Sequence, residues 1–173
     1  MMNRAFTLIE LLVVIVVLSV LIGLSFPVYS RVTENGRATA CLSNLRQIGA
    51  GLNLYLGEHD TTFPPTMQGA RASTTDNVAT IDNTLTAYID NPKVFLCPSD
   101  YQGIGKASGT SYYWNSALDG QTLGALNFLT ISDPTRIPVL GDKEGFHPYL
   151  DNKVNILYLD GHVTKDLKFI PSP

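Results

Sequence analysis

The run from Phe6 to Phe26, FTLIELLVVIVVLSVLIGLSF, limits what this chain can become more than any other stretch. From Leu11 onward its only polar side chains are Ser19 and Ser25, and its single charge, Glu10, lies near its start. As a helix rising about 1.5 Å per residue it spans about 31 Å, enough to cross the hydrocarbon core of a bilayer. A carboxylate inside such a span costs about 2.5–3.5 kcal/mol on insertion scales, so Glu10 requires a partner. Three plain readings compete. A secretory signal peptide fits the short basic start Met1–Arg4 and the small-residue site Val28-Tyr29-Ser30, but the run is longer than an ordinary signal core. A simple anchor leaves Glu10 unexplained, and a buried core helix is rarely so uniformly apolar.

Ala5-Phe6-Thr7-Leu8-Ile9-Glu10, followed by Leu11-Leu12-Val13-Val14, resembles the processing site of type IV prepilins and type II secretion pseudopilins. The resemblance implies cleavage by prepilin peptidase between Ala5 and Phe6, methylation of the new Phe6 amino group, and Glu10 as the fifth residue of the mature chain. Ala5 stands where the family usually carries Gly, and Pro27 where members carry a helix-kinking proline. The implied partners are copies of the chain itself, other pilin-like subunits, an inner-membrane assembly platform, and membrane lipid before assembly. The implied location is a single pass through the inner membrane with the C-terminal part in the periplasm, or outside the cell for a true pilin.

Physical reasoning gives Glu10 a task within that resemblance. It lies four residues beyond Phe6, about 6 Å along a helix axis. Ammonium and carboxylate can pair within one chain, as residues i and i+4 do, or between neighbours staggered by a similar rise. The second arrangement removes two unpaired charges from lipid only when subunits stack, so Glu10 is expected to set the register of assembly.

The remainder of the 173 residues has room for one further domain. Net charge is −3, and loss of Arg4 with a leader would make it one unit more negative. A mildly acidic chain without a basic run argues against nucleic-acid binding. Basic residues flank the apolar run on both sides (Arg4, then Arg31 and Arg37), so orientation rests on the cleavage motif and not on charge.

From Arg31 an amphipathic helix begins, with Cys41, Leu45, Ile48, Leu52 and Tyr55 at alternating spacings of four and three, widened by Leu42 and Leu56. Gly23 and Pro27 make the end of the span pliable. Asn35-Gly36 is a candidate break, and Gly57 with Pro64-Pro65 marks the expected end. The chain thus divides into a leader at 1–5, a transmembrane or filament-core helix at 6–27, an amphipathic spine helix at 28–59 and a headpiece at 60–173. In the headpiece, residues 60–80 read as a polar loop and Ile81 to Ile89 as a helix stopped by Asn91-Pro92. Val94–Cys97, Ser111–Asn115 and Ile137–Leu140 read as strands, and Val154–Leu159 as one arm of a hairpin turning at Asp160-Gly161. A helix first and strands later predict an α+β, pilin-like fold with a small antiparallel sheet on the spine helix.

Two cysteines in an exported chain are expected as a disulfide rather than as free thiols, here Cys41–Cys97, closing a loop of 55 intervening residues. A narrower resemblance rests on Cys41-Leu42-Ser43-Asn44-Leu45-Arg46-Gln47-Ile48-Gly49, Phe95-Leu96-Cys97-Pro98-Ser99-Asp100 and Leu159-Asp160-Gly161-His162-Val163. These are similar to a pilin-like group whose tail carries His, nine residues, then Asp-Gly. Here the nearest upstream histidine is His147, with twelve residues between it and Asp160.

Candidate chemistry in the headpiece is sparse. Asp142, Glu144, Asp151, Asn152, Asp160, His147 and His162 are the polar groups to consider. Related pseudopilins bind calcium through loop oxygens, which for this chain would mean Asp151, Asn152 and Asp160, although the spacing matches no EF-hand loop. The plainer alternative is that Asp160-Gly161 is a hairpin turn and that Asp142 and Glu144 are solvated loop charges. The histidines lack zinc-ligand spacing. No phosphate loop or nucleophile elbow is present, and Gly103-Ile104-Gly105-Lys106 lacks the flanking elements such a loop needs. Tyr112, Tyr113 and Trp114 read as sheet packing. A structural subunit without resident cofactor, not an enzyme, is the expectation.

Overall fold

Thr7 starts the principal helix. Its hydroxyl accepts from the Glu10 backbone N–H at 3.3 Å, and its own backbone N–H donates to Glu10 Oε2 at 2.9 Å, a reciprocal capping box. From there α1 runs unbroken from Leu8 to Glu58, 51 residues or about 77 Å. The computed structural model describes residues 7–65, 78–126, 128–129, 131–147 and 154–165.

Two environments divide α1. In its N-terminal part every large apolar side chain from Leu8 to Phe26 is exposed, and none of the most apolar window is buried within the chain. Ser19 and Ser25 there donate to the carbonyls of Ile15 and Leu21 at 2.6 and 2.8 Å, so their hydroxyls need no water. In its C-terminal part Glu34, Ala38, Cys41, Leu45, Ile48, Leu52 and Tyr55 are buried at spacings of four and three. The expected stripe is present and starts seven residues earlier, at Glu34. Asn35-Gly36 does not interrupt the helix, because both face solvent between the buried Glu34 and Ala38. Gly57 lies inside α1. The chain leaves the helix through left-handed Asp60 and Thr61 (φ 50° and 57°), with the Thr61 N–H donating to the Leu56 carbonyl at 2.8 Å.

The headpiece carries a four-stranded antiparallel meander, β1 (Tyr112–Trp114), β2 (Pro138–Asp142), β3 (Ile156–Tyr158) and β4 (Val163–Thr164), paired in that order. Tyr112 faces Asp142 across β1–β2, and Gly141 faces Ile156 across β2–β3. The β3–β4 turn has Gly161 at φ 87°, a conformation glycine adopts without strain. The sheet meets α1 through β3 and β4, where Leu157 lies over Gly49. The core between them holds Trp114, Tyr112, Phe63, Leu45 and Ile48, each worth about 1.5–3 kcal/mol when fully buried. This α+β, pilin-like architecture agrees with the sequence reading.

Two headpiece segments differ from expectation. The helix expected over Ile81–Ile89 is only α2 (Ile81–Thr84), after which the chain turns so that Tyr88 and Ile89 reach the spine. Tyr88 meets Tyr55 edge-on at 5.7 Å, and its hydroxyl donates to Glu58 Oε2 at 2.8 Å. The strand expected at Val94–Cys97 is a 3-10 turn at Pro92–Phe95, capped by Asn91 and started by Pro92. Val94 and Phe95 are buried in either case, and the short apolar run alone could not separate strand from turn. A short helix α3 (Ile104–Ser108) follows.

Candidate functional site

The N-terminal end of α1 holds the first group of interest. Glu10 is exposed to the surroundings of the chain, and its Oε2 accepts from the Thr7 hydroxyl at 2.7 Å as well as from the Thr7 backbone N–H. The capping box therefore satisfies one carboxylate oxygen within the chain. Ala5 and Phe6, the expected cleavage and methylation positions, lie outside the described residues. Pro27 lies within the continuous helix.

The second group was not visible in the sequence. Glu34 is the one carboxylate on the buried face of α1, and two further chain segments, the loop at 99–101 and the stretch at His147, converge on it. Its Oε1 accepts from the Ser99 hydroxyl at 2.5 Å and faces His147 Nδ1 at 2.9 Å. Its Oε2 accepts from the Tyr101 hydroxyl at 3.0 Å and lies 3.8 Å from the Arg37 guanidinium, which also contacts the Tyr101 hydroxyl and ring. His147, fully buried, continues the chain of contacts. Its Nε2 lies 2.8 Å from Asn155 Nδ2 and 3.5 Å from Asp142 Oδ2. Asp142 Oδ2 accepts from both the backbone and side-chain N–H groups of Asn155, at 2.8 and 2.9 Å. With Asn155 presenting N–H groups to both neighbours, neutral His147 donates from Nδ1 to Glu34 and accepts at Nε2, a tautomer inferred from the network.

Electrostatics follow from these contacts. Burial opposes charge on Glu34, but the hydrogen bonds from Ser99, His147 and Tyr101 outweigh it and hold its pKa below the ordinary carboxylate value. Asp142 goes the other way: burial outweighs the bonds from His147 and Asn155 and pushes its pKa up. Burial also disfavours the His147 cation, yet Asp142 and Glu34 on either side prevail and raise its pKa. The expectation that Asp142 is a solvated loop charge is thus corrected, since its place on β2 turns it inward; Glu144, two residues on, is exposed as expected.

Beside this cluster Cys41 and Cys97 form the expected disulfide, with Cα atoms 5.3 Å apart. Cys97 Sγ lies 3.8 Å from His147 Nε2. Cys41, Cys97 and His147 bring three potential ligand atoms within 4.8 Å of one another, but the two sulfurs are bonded to each other and offer no thiolate to a metal. Disulfide and carboxylate cluster together fasten the loop at 97–101 and the end of the β2 segment to the middle of α1.

The calcium expectation meets a local structure. Asp160 Oδ1 accepts from the His162 backbone N–H at 3.1 Å and faces its Nδ1 at 2.5 Å, while the His162 ring stacks on Tyr158. Asp160 is a turn residue. Asp151 and Asn152 lie outside the described residues. Tyr112 and Trp114 are buried in the sheet, and Tyr113 faces out.

No curated protein and no solved structure matches this chain. Residues 1–26 match the family model described as the prokaryotic N-terminal methylation motif, the signature of prepilin-type cleavage, and this motif supports a type IV pilin-like or pseudopilin subunit.

Proposed function

We propose that the chain is a type II secretion pseudopilin, a structural filament subunit that prepilin peptidase cleaves before Phe6 and that assembles through the first half of α1 to drive protein secretion. The supporting observation is the helix itself: a wholly exposed apolar half carrying one carboxylate, continuous with a half that is buried by a folded headpiece. Before assembly the apolar half sits in the inner membrane with the headpiece in the periplasm. On assembly the same surface meets other copies and other pilin-like subunits. Both Thr7 bonds fall on Glu10 Oε2, which offers Oε1 to the Phe6 ammonium of a staggered neighbour.

N-terminal sequencing of the membrane-extracted protein tests the processing step: methylated Phe6 is expected, and an intact Met1 or a start at Arg31 overturns it. Glu10→Val is expected to insert normally and to yield no filaments, and normal filaments from that variant refute the register role. Imaging of sheared material addresses the secretion assignment, since long surface fibres would favour a surface pilin for adhesion, motility or DNA uptake. Failure of adjacent α1 helices to cross-link would leave a membrane-anchored periplasmic binding module. Calcium at Asp151, Asn152 and Asp160 is tested by melting with and without chelator, where an unchanged midpoint rules out a structural ion.

A further inference from the structure

The junction where the disulfide, His147 and Asp142 meet has the donor atoms of a metal site. Cys41, Cys97 and His147 are all buried, and two sulfurs and a ring nitrogen lie within 4.8 Å of one another. His147 Nε2 is 3.8 Å from Cys97 Sγ and 3.5 Å from Asp142 Oδ2. A tetrahedral zinc ion, with Zn–S about 2.3 Å and Zn–N or Zn–O about 2.0–2.2 Å, sets sulfur and nitrogen ligands about 3.6 Å apart and nitrogen and oxygen ligands about 3.4 Å apart. Two edges of that tetrahedron are thus close to the spacing of these side chains.

Two further contacts distinguish a ligand set from packing. Neutral His147 donates from Nδ1 to Glu34 Oε1 at 2.9 Å, which leaves the lone pair on Nε2, the nitrogen beside the sulfur. A carboxylate behind the far nitrogen is what orients a metal-binding imidazole and raises its basicity. Asp142, its side chain fully buried, gives Oδ2 to Asn155, while its Oδ1 has no hydrogen-bond partner among the described residues. A buried oxygen left in that state is costly and calls for a partner. A metal on Nε2 would displace one contact, that with Asn155 Nδ2 at 2.8 Å, and Nδ2 would keep its bond to Asp142 Oδ2.

We propose that in the reduced chain Cys41, Cys97, His147 and Asp142 bind a zinc ion, and that the disulfide takes the place of this ion on oxidation. Every copy is made with two thiols, so the reduced headpiece comes before the bonded one. Zinc binding releases one proton from each thiol. An oxidant of the glutathione-disulfide class then takes two electrons from the two thiolates. The Cys41–Cys97 bond forms, the S–S bond of the oxidant breaks, its two thiolates leave, and Zn2+ departs with its charge unchanged. Metal and disulfide fasten the same loop to the same turn of α1 in succession, across Cα atoms 5.3 Å apart. The site lies wholly in the headpiece and its buried junction with the spine, so it is independent of how the apolar half of α1 assembles.

The test uses the full-length chain in detergent, reduced under argon with a phosphine, and Co2+ and Zn2+ as probes. The reduced chain is expected to take up one Co2+ with thiolate charge-transfer and tetrahedral ligand-field absorption, and to exchange it for Zn2+; the oxidised chain is expected to show neither band. His147→Gln is expected to abolish or shift the ligand-field bands. Ser99→Ala, which loosens the same junction without removing a ligand, is expected to keep them. Glu34→Gln, which leaves all four ligands, is expected to weaken Co2+ binding about 10–100-fold. Oxidised glutathione is expected to release Zn2+ to a chromophoric chelator in step with the loss of free thiol. If reduction unfolds the metal-free headpiece, added Zn2+ is expected to restore the emission of buried Trp114, and emission that stays that of exposed tryptophan overturns the proposal. So do a reduced chain without the charge-transfer band, equal uptake by oxidised and reduced chains, and bands unmoved by His147→Gln or lost equally in Ser99→Ala.

Discussion

Glu34→Leu is the substitution that bears most directly on how the headpiece is held. Leucine keeps the helix and much of the volume but removes the acceptor for Ser99 and His147, both buried, and for Tyr101 at the surface. The Tyr101 hydroxyl can turn to water and costs little. Ser99 and His147 cannot, and removing one partner of a buried charged pair typically costs about 3–5 kcal/mol. For a chain of this size each kcal/mol moves the midpoint by about 2–4 °C, so the loss is about 10 °C. The measurement is thermal unfolding of the full-length chain in detergent with the disulfide intact, followed by Trp114 fluorescence, because Trp114 is buried in the headpiece. Far-UV ellipticity would be dominated by α1 and would miss the event. Glu144→Leu, an exposed carboxylate, serves as the control and is expected to change the midpoint by under about 2 °C. If Glu34→Leu falls within about 1 kcal/mol of that control, the carboxylate is not what joins the 97–101 loop and the β2 segment to the spine, and the reasoning fails.

Four further predictions use other parts of the structure. His147 has a raised pKa, so its stabilising contribution is complete below the ordinary histidine value of about 6.5 and is lost as pH climbs through the raised value; Glu34, with a lowered pKa, contributes above the ordinary carboxylate range and loses that only in acid. Stability is therefore expected to decline on the alkaline side of about pH 6.5, and His147→Gln to flatten that decline in a pH series of urea midpoints; an unchanged slope refutes the assignment. Replacing Cys41 and Cys97 together by Ala opens a loop of sequence separation 56 and is expected to cost about 4 kcal/mol by denaturant unfolding. Gly105→Ala would bring a Cβ against the Ser111 hydroxyl, 2.8 Å from Leu96 Cδ2 and 2.9 Å from the Ser111 backbone nitrogen, and is expected to destabilise by about 1–3 kcal/mol. Gly36→Ala has nothing within 4 Å, lies mid-helix, and is expected to stabilise by about 0.5–1 kcal/mol in the same assay.

The parts of this protein that depend on local chemistry were open to reading from the chain alone. A helix long and apolar enough to span a membrane, the position of Glu10, the four-and-three stripe from Cys41 to Tyr55 and the Asp160-Gly161 turn each follow from residues close in sequence, whose spacing carries their geometry. The Cys41–Cys97 bond was legible for a different reason, since two cysteines allow one pairing and the cleavage motif reads as that of an exported chain, where a disulfide is expected. Short segments were harder. The spacing in Ile81–Ile89 allows either a helix or a turn and the short run Val94–Cys97 either a strand or a turn, and contact with Tyr55, Glu58 and the spine core decided their form.

Glu34, Ser99, Asp142, His147 and Asn155 lie in four separate stretches, and no periodicity connects them. In sequence Asp142 looks like any loop carboxylate and Glu34 like a solvated helix charge. Only the antiparallel register that sets β2 beside β3 brings Asp142 to Asn155, and only the disulfide-fastened loop brings Ser99 over α1. Helix formation and membrane affinity are properties of neighbouring residues and are written locally. A buried charge cluster draws its stability from groups up to 113 positions apart, so it exists only once the chain has folded.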